Sequence, residues 1–195
     1  MQRRTLLESS DPWLTVWRWI AGPLLAILVL ASCAQSAELR GRLEPESVVT
    51  IGFDDFSSTS VGSTGHSVCA TGPGVFLESV DALKIDGAAE LIGAVEISGV
   101  VQRDGFIGAV YGFPPEGWAS DALGTYAVPE CDPTSPDSVT QVVLGVRRTE
   151  PTGGAIRGVS ITYRSGGRTG TLEIPNFHIT LCGDDGRYCE DELSS

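Results

Sequence analysis

The apolar positions of this chain fall into two regimes. Near the amino end they form one unbroken run, Trp19 to Ala31, which follows Arg3, Arg4 and Arg18 and stops at Ser32-Cys33. From residue 48 onward they come in short stretches with near alternation, bounded by Gly, Pro, Ser and Asp, and long helical spacing is missing. The alternation predicts strands over Val48–Phe53, Val75–Ile85, Ala89–Ser98, Phe106–Gly112, Val139–Arg147, Arg157–Arg164, Thr169–Ile174 and Phe177–Leu181. In RGVSITYRS, Val159, Ile161 and Tyr163 share one face, and Ser160, Thr162 and Arg164 share the other. RSGGRTGTLEI predicts a hairpin turning at Gly166-Gly167, a favoured two-residue turn. Strands separated by turns rather than helices indicate an all-β domain built as an antiparallel β-sandwich.

Two stretches break the alternation. Phe53 to Gly74 is rich in Ser, Thr and Gly and reads as a long loop. Gly112 to Ser138 is Pro-rich and reads as a segment that wraps the sandwich. Long ordered loops on a rigid scaffold are where binding tends to reside. Ala119–Leu123 leaves room for a short helix, and no internal repeat is visible.

The run from Trp19 to Ala31 is thirteen residues long, whereas a bilayer span takes about twenty apolar residues. Extending it back to Trp13 would place Arg18 in hydrocarbon at a cost of roughly 2–3 kcal/mol, and Pro23 interrupts a continuous helix. Positive charge, a short apolar segment and then small residues are the layout of a secretory signal. Leu30-Ala31-Ser32-Cys33 matches all four positions of, and so resembles, the lipobox of bacterial lipoproteins. The resemblance implies that the Cys33 thiol receives a diacylglyceryl group and that Cys33 becomes the new amino terminus. On that reading residues 1–32 are a signal peptide, 33–48 a lipidated flexible tether, and 49–195 the sandwich domain with an acidic carboxyl end. Two or more acyl chains anchor stably where one is marginal. The expected address is therefore the extracytoplasmic face of the cell membrane, lipid-anchored and not threaded. An ordinary signal peptide cleaved nearby is the plainer alternative.

The chain has five cysteines, an odd number for an exported protein. Setting Cys33 aside for lipid leaves Cys69, Cys131, Cys182 and Cys189, which outside the cytoplasm are expected to form disulfides. Three pairings are possible. CGDDGRYC favours Cys182–Cys189, because Gly183 and Gly186 suit a short closed loop, and the remaining pair, Cys69–Cys131, would then join the two long loops. Neither a CxxC nor an HxxxH spacing is present to suggest zinc. Of the 25 acidic and 13 basic residues, 23 and 10 follow Ser32, so the mature part carries a net charge near −13. That charge argues against nucleic acid, which needs a basic footprint, and against lying flat on an anionic membrane.

VVLGVRRTEPTGGAIRGVSITYRSGGRTGTLEIPNFHITLC, with FIGAVYGFPP before it, looks like part of a domain seen in exported proteins of high-GC Gram-positive bacteria. The resemblance covers roughly Val75–Cys182 and implies an Ig-like sandwich. Its motifs describe strands and turns, so it brings no functional residues with it.

No P-loop, GxGxxG, HExxH or GxSxG motif is present, and nothing calls for a cofactor. His66, in GSTGHSVC, invites comparison with a Ser/His/Asp triad, but a histidine in a Ser-rich loop is more often a plain loop residue. His178 alternates with Phe177 and Ile179 on a predicted strand and reads as solvent-facing. Asp54-Asp55, Asp184-Asp185 and Glu190-Asp191-Glu192 offer carboxylates to Ca²⁺, yet lack the spacing of an EF-hand loop; a solvated acidic tail is the simpler reading. Trp118 is the only tryptophan after Ser32, and with Phe113 in GFPPEGW it could present an aromatic platform to a glycan or a partner. The expectation is a non-enzymatic binding module at the cell envelope. The alternatives are a structural accessory subunit of a membrane complex and, behind it, a hydrolase using His66.

Overall fold

The alternating segment RGVSITYRS becomes the middle of the smaller of two sheets. The computed structural model describes residues 36–41, 47–52, 60–98, 108–135, 138–186 and 188–189, and among these there is no helix. The strands are β1 (Leu39–Gly41), β2 (Ser47–Ile51), β3 (Val61–Ala70), β4 (Val75–Gly87), β5 (Ala89–Ser98), β6 (Ala109–Tyr111), β7 (Asp121–Ala122), β8 (Thr140–Arg148), β9 (Gly154–Ser165) and β10 (Arg168–Leu181). Sheet I has the order β1-β3-β8-β5-β7, with β6 also paired to β3; sheet II has the order β2-β10-β9-β4. Val159, Ile161 and Tyr163 of β9 are buried, as the alternation requires, and Arg164 is exposed.

Sheet II is built around one hairpin. Gly166 and Gly167 take φ of 55° and 79°, the left-handed values a two-residue turn of this kind needs and glycine supplies without strain. The turn sets Ser165 opposite Arg168 and Tyr163 opposite Gly170. The two expected strands on either side of Pro175 are one strand, β10, with a register shift between Ile174 and His178. Proline has no N–H to give the ladder, so the strand bulges there instead of ending.

Four further expectations are corrected. The stretch Phe53–Gly74, expected as a loop, contains β3, a central strand of sheet I, although 53–59 lie outside the described residues. Residues 39–41, expected as tether, form β1 and pair antiparallel with Val68–Ala70. The room left for a helix at Ala119–Leu123 is taken by β7, paired with Val95 and Glu96. The sandwich is not wholly antiparallel: β2 runs parallel to β10, with Ser47 opposite Phe177 and Ile51 opposite Leu181. The physical reason is that β2 and β10 are far apart in the chain, so no tight turn joins them to impose an antiparallel pairing.

The two sheets pack through Leu77, Ile156, Ile161, Phe177, Ile179 and Leu181 from sheet II against Val68, Val142, Leu144 and Val146 from sheet I. Each such side chain contributes about 1.5–3 kcal/mol by leaving water. Sheet II leaves its other face wet and carries ion pairs there: Arg164 with Glu78 at 3.2 Å, and Asp86 with Arg157 at 2.6 Å and Lys84 at 2.9 Å. The hydrogen bond from Lys84, and then that from Arg157, hold the Asp86 carboxyl below the usual carboxylate range.

Candidate functional site

Sheet I is covered by sheet II on its inner face and over much of its outer face by a segment that contains the aromatic residues singled out above. Register sets Gly93, Gly145 and Ser63 in one row across β5, β8 and β3 on the outer face, followed by Val95, Val143 and Gly65. The Phe113 ring lies in the hollow above the glycine row, where a Cβ on Gly145 would collide with it. Trp118 packs partly buried against Ile97 and Val143 in a small second core, alongside Val95 and Val110. The Ser63 hydroxyl donates to the Gly112 carbonyl and fixes the start of this cover. Phe113 and Trp118 thus share one place and serve as a lid on sheet I. The glycine and serine content of β3 and β8 is what lets a ring sit so close to the backbone.

His66 is on the opposite face. It stands on β3 opposite Val142, points into the sandwich, and is 3% exposed. Its ring meets Phe177 of sheet II at a centroid distance of 5.1 Å and an interplanar angle of 59°. Neither ring nitrogen has a hydrogen-bond partner among the described residues, and desolvation lowers its pKa to about 4. An imidazole held neutral inside the core is not placed to take a proton from a substrate arriving through solvent. Structure therefore separates His66 from Phe113 and Trp118 by the thickness of sheet I. His178 is half-buried on β10, with Nε2 3.2 Å from the Pro175 carbonyl.

Two buried charged residues escaped the sequence reading. Glu96 of β5 is 1% exposed, and its carboxylate accepts the N–H groups of Tyr126 at 2.7 Å and Gly124 at 3.1 Å. Those residues begin a strap that crosses one end of the sandwich. Val128 N–H donates to Val75 O, Ala70 N–H to Pro129 O, and Cys131 N–H to Ala70 O, each at 2.8 Å. The Cys69–Cys131 disulfide, with Cα atoms 5.0 Å apart, locks the strap to β3. Alternation alone puts Glu96 on the face opposite Val95 and Ile97 and so in water; the strap is what closes over it.

At the other end, Arg148 of β8 is 1% exposed. Its guanidinium donates to the Cys182 carbonyl at 2.6 Å and pairs with Asp184 at 2.7 Å. The Cys182–Cys189 disulfide closes the loop that carries Asp184, with Cα atoms 5.3 Å apart. Both disulfides are therefore those favoured from the sequence. Asp184, read above as a calcium candidate or a solvated acid, is instead the counter-charge of a buried arginine. Among the described residues, no group of three His, Cys, Asp or Glu side chains could hold a metal ion. Asp54-Asp55, Glu190-Asp191-Glu192 and the Leu30–Cys33 motif lie outside the described residues.

No family model, curated protein or solved structure matches this chain. The site has to be read from its own chemistry, and that chemistry is positional. Phe113 and Trp118 cover sheet I, Glu96 holds the strap, and Arg148 holds the acidic loop. A hollow of about 210 Å³ beside the Cys69–Cys131 bridge is lined by Asp132, Pro133 and Ser138. Asp132 and Ser138 spend their polar atoms there on local turns: the Asp132 carboxylate accepts from the Thr134 amide, and the Ser138 hydroxyl binds the Asp132 main chain.

Proposed function

We propose that this protein is a lipid-anchored extracytoplasmic lipoprotein whose domain is a non-enzymatic binding module at the cell envelope. The observation that carries the reading is the cysteine pairing. Cys69, Cys131, Cys182 and Cys189 are consumed in two disulfides, which leaves Cys33 of the LASC motif as the odd thiol. Disulfides belong to oxidising compartments outside the cytoplasm, and a cysteine directly after a signal-like run is the residue that lipidation uses. The non-enzymatic part is supported by the placement of His66 in the core and by the use of the buried charges as braces. Within the same proposal, the sandwich is Ig-like and akin to exported domains of high-GC Gram-positive bacteria; the β9–β10 hairpin and the paired sheets support it.

Metabolic labelling with a lipid precursor tests the anchor. Wild type incorporates label and Cys33→Ala does not; equal incorporation sinks the lipoprotein reading. The accessory-subunit reading is separated by pull-down in mild detergent: a stoichiometric protein partner that stays bound through solubilisation favours it over a glycan-binding or peptide-binding module.

A further inference from the structure

One side of the sandwich has little strand pairing across it among the described residues. Among the described residues β4 pairs only with β9 and no strand lies beside its far edge, and β5 has β7 beside Val95 and Glu96 alone. The strap closes the part of this side near Val75, through the Val128 N–H, and near Glu96. Beyond the strap a hollow of about 350 Å³ opens between the two edges, lined by Val80, Asp81, Ala82, Ile85, Leu91 and Ile92. Ile85 is 46% exposed and its neighbour Leu83 is 41% exposed. A strand edge flanked by apolar side chains is a template for one more strand.

Charge on β4 selects among possible occupants. Glu78 is paired with Arg164, and Asp86 with Lys84 and Arg157. Asp81 lines the hollow, is exposed, and has no ion pair among the described residues. A second copy of this chain carries the same net charge of −12 and meets like-charge repulsion in any register; paired antiparallel about Ala82 it would also bring Glu78 to Asp86. An acidic partner meets the same repulsion from the chain as a whole.

We propose that this side binds an extended segment of a partner protein as an added strand on β4. The segment is cationic and apolar by turns: alternate apolar side chains enter the hollow, and a Lys or Arg faces Asp81. The inference rests on the binding-module reading and names its partner class.

The test titrates full-length protein in detergent micelles with a short labelled peptide that alternates Val with Lys and Thr, followed by fluorescence anisotropy. Binding is saturable, and replacing the peptide's Lys by Glu weakens it about tenfold or more. Asp81→Lys reverses that preference and so reports charge pairing in a variant that still binds. Ile85→Glu abolishes binding, and hydrogen exchange of 79–86 slows in the complex. Absence of saturable binding, equal binding of the two peptides, or an Asp81→Lys variant that keeps the wild-type preference overturns the proposal. Concentration-dependent self-association lost in Ile85→Glu also overturns it, by assigning the edge to a second copy. Failure here leaves the Cys33 labelling result untouched, and equal labelling at Cys33 leaves the peptide titration untouched.

Discussion

Sheet I and sheet II meet their surroundings differently. Sheet II has one buried face and one wet face, and its charges pair on the wet side at Arg164–Glu78 and Asp86–Arg157. Sheet I is buried by sheet II on its inner face and by the cover from Gly112 onward over much of its outer face; Arg148, Glu96, His66 and Gln141 are almost wholly inside, while Arg147 and Glu90 pair at its exposed margin. The same residue types therefore carry opposite weight in the two sheets. On sheet II an ion pair is optional, worth little in water. On sheet I each buried polar group must be braced, or kept neutral, because an unpaired charge there is costly.

The comparison breaks most visibly where a covalent tie holds the cover down. Removing the Cys69–Cys131 bridge with the double alanine variant opens a loop of sequence separation 62, and loop entropy puts the loss of unfolding free energy at about 4 kcal/mol. The same change at Cys182–Cys189, separation 7, loses about 2 kcal/mol. Denaturant unfolding of the two variants ranks them; an equal loss would show that the strap stays seated without its bridge.

Acid gives the next largest effect, through His66. Its folded pKa of about 4 lies below the 6.5 of the exposed ring, so the unfolded chain binds the extra proton between those values. Its contribution is complete above pH 6.5 and is lost as pH falls toward 4, by about 3 kcal/mol in total. His66→Met removes this titration, and its stability profile over that window is flatter than wild type. Superimposable profiles would falsify the assignment.

Asp184→Asn takes from the buried Arg148 guanidinium the carboxylate that pairs with it at 2.7 Å. The expected loss is about 2–3 kcal/mol, near the lower bound for a broken buried pair, because the Asp184 side chain is 41% exposed and water shares the load. Adding Arg148→Met recovers part of it, since both charges are then gone; a double variant as weak as Asp184→Asn would place the cost elsewhere. On sheet II, Asp86→Asn has the smallest effect. The lowered Asp86 pKa stabilises above the unfolded value and is lost as pH falls through the folded one. Thermal melts in high salt, which screens exposed pairs, bring wild type and Asp86→Asn together.

Sheet II was the more legible in sequence. A one-sided sheet writes its structure as alternation, so Val159, Ile161 and Tyr163 announced their face and Gly166-Gly167 announced the turn. The expected bounds of β5, Ala89–Ser98, are also those observed. A strand covered on both faces has no polar side to alternate with. Where it must also sit under bulky rings and side chains it is written in small residues, and VGSTGHSVCA then looks like a loop. The same ambiguity hid the braces. Ile97 was legible as apolar but not as belonging to a second core under Trp118, and that inverts the environment of Glu96. Arg148 closes a run that reads as a strand ending in ordinary surface basics; the nearby CGDDGRYC loop was visible, but nothing local says that one of its acids reaches Arg148.

The parallel pairing of β2 with β10 has a mechanical side. Ser47 through Ile51 lie rung by rung beside Phe177 through Leu181, both strands running the same way. Tension between the chain before Ser47 and the chain after Leu181 pulls these strands along their length in opposite senses. The evenly spaced bonds of a parallel ladder then share the force and yield together, where a hairpin pulled at its open end would unzip one bond at a time. A domain held by its amino end and tugged from its carboxyl end is clamped in shear.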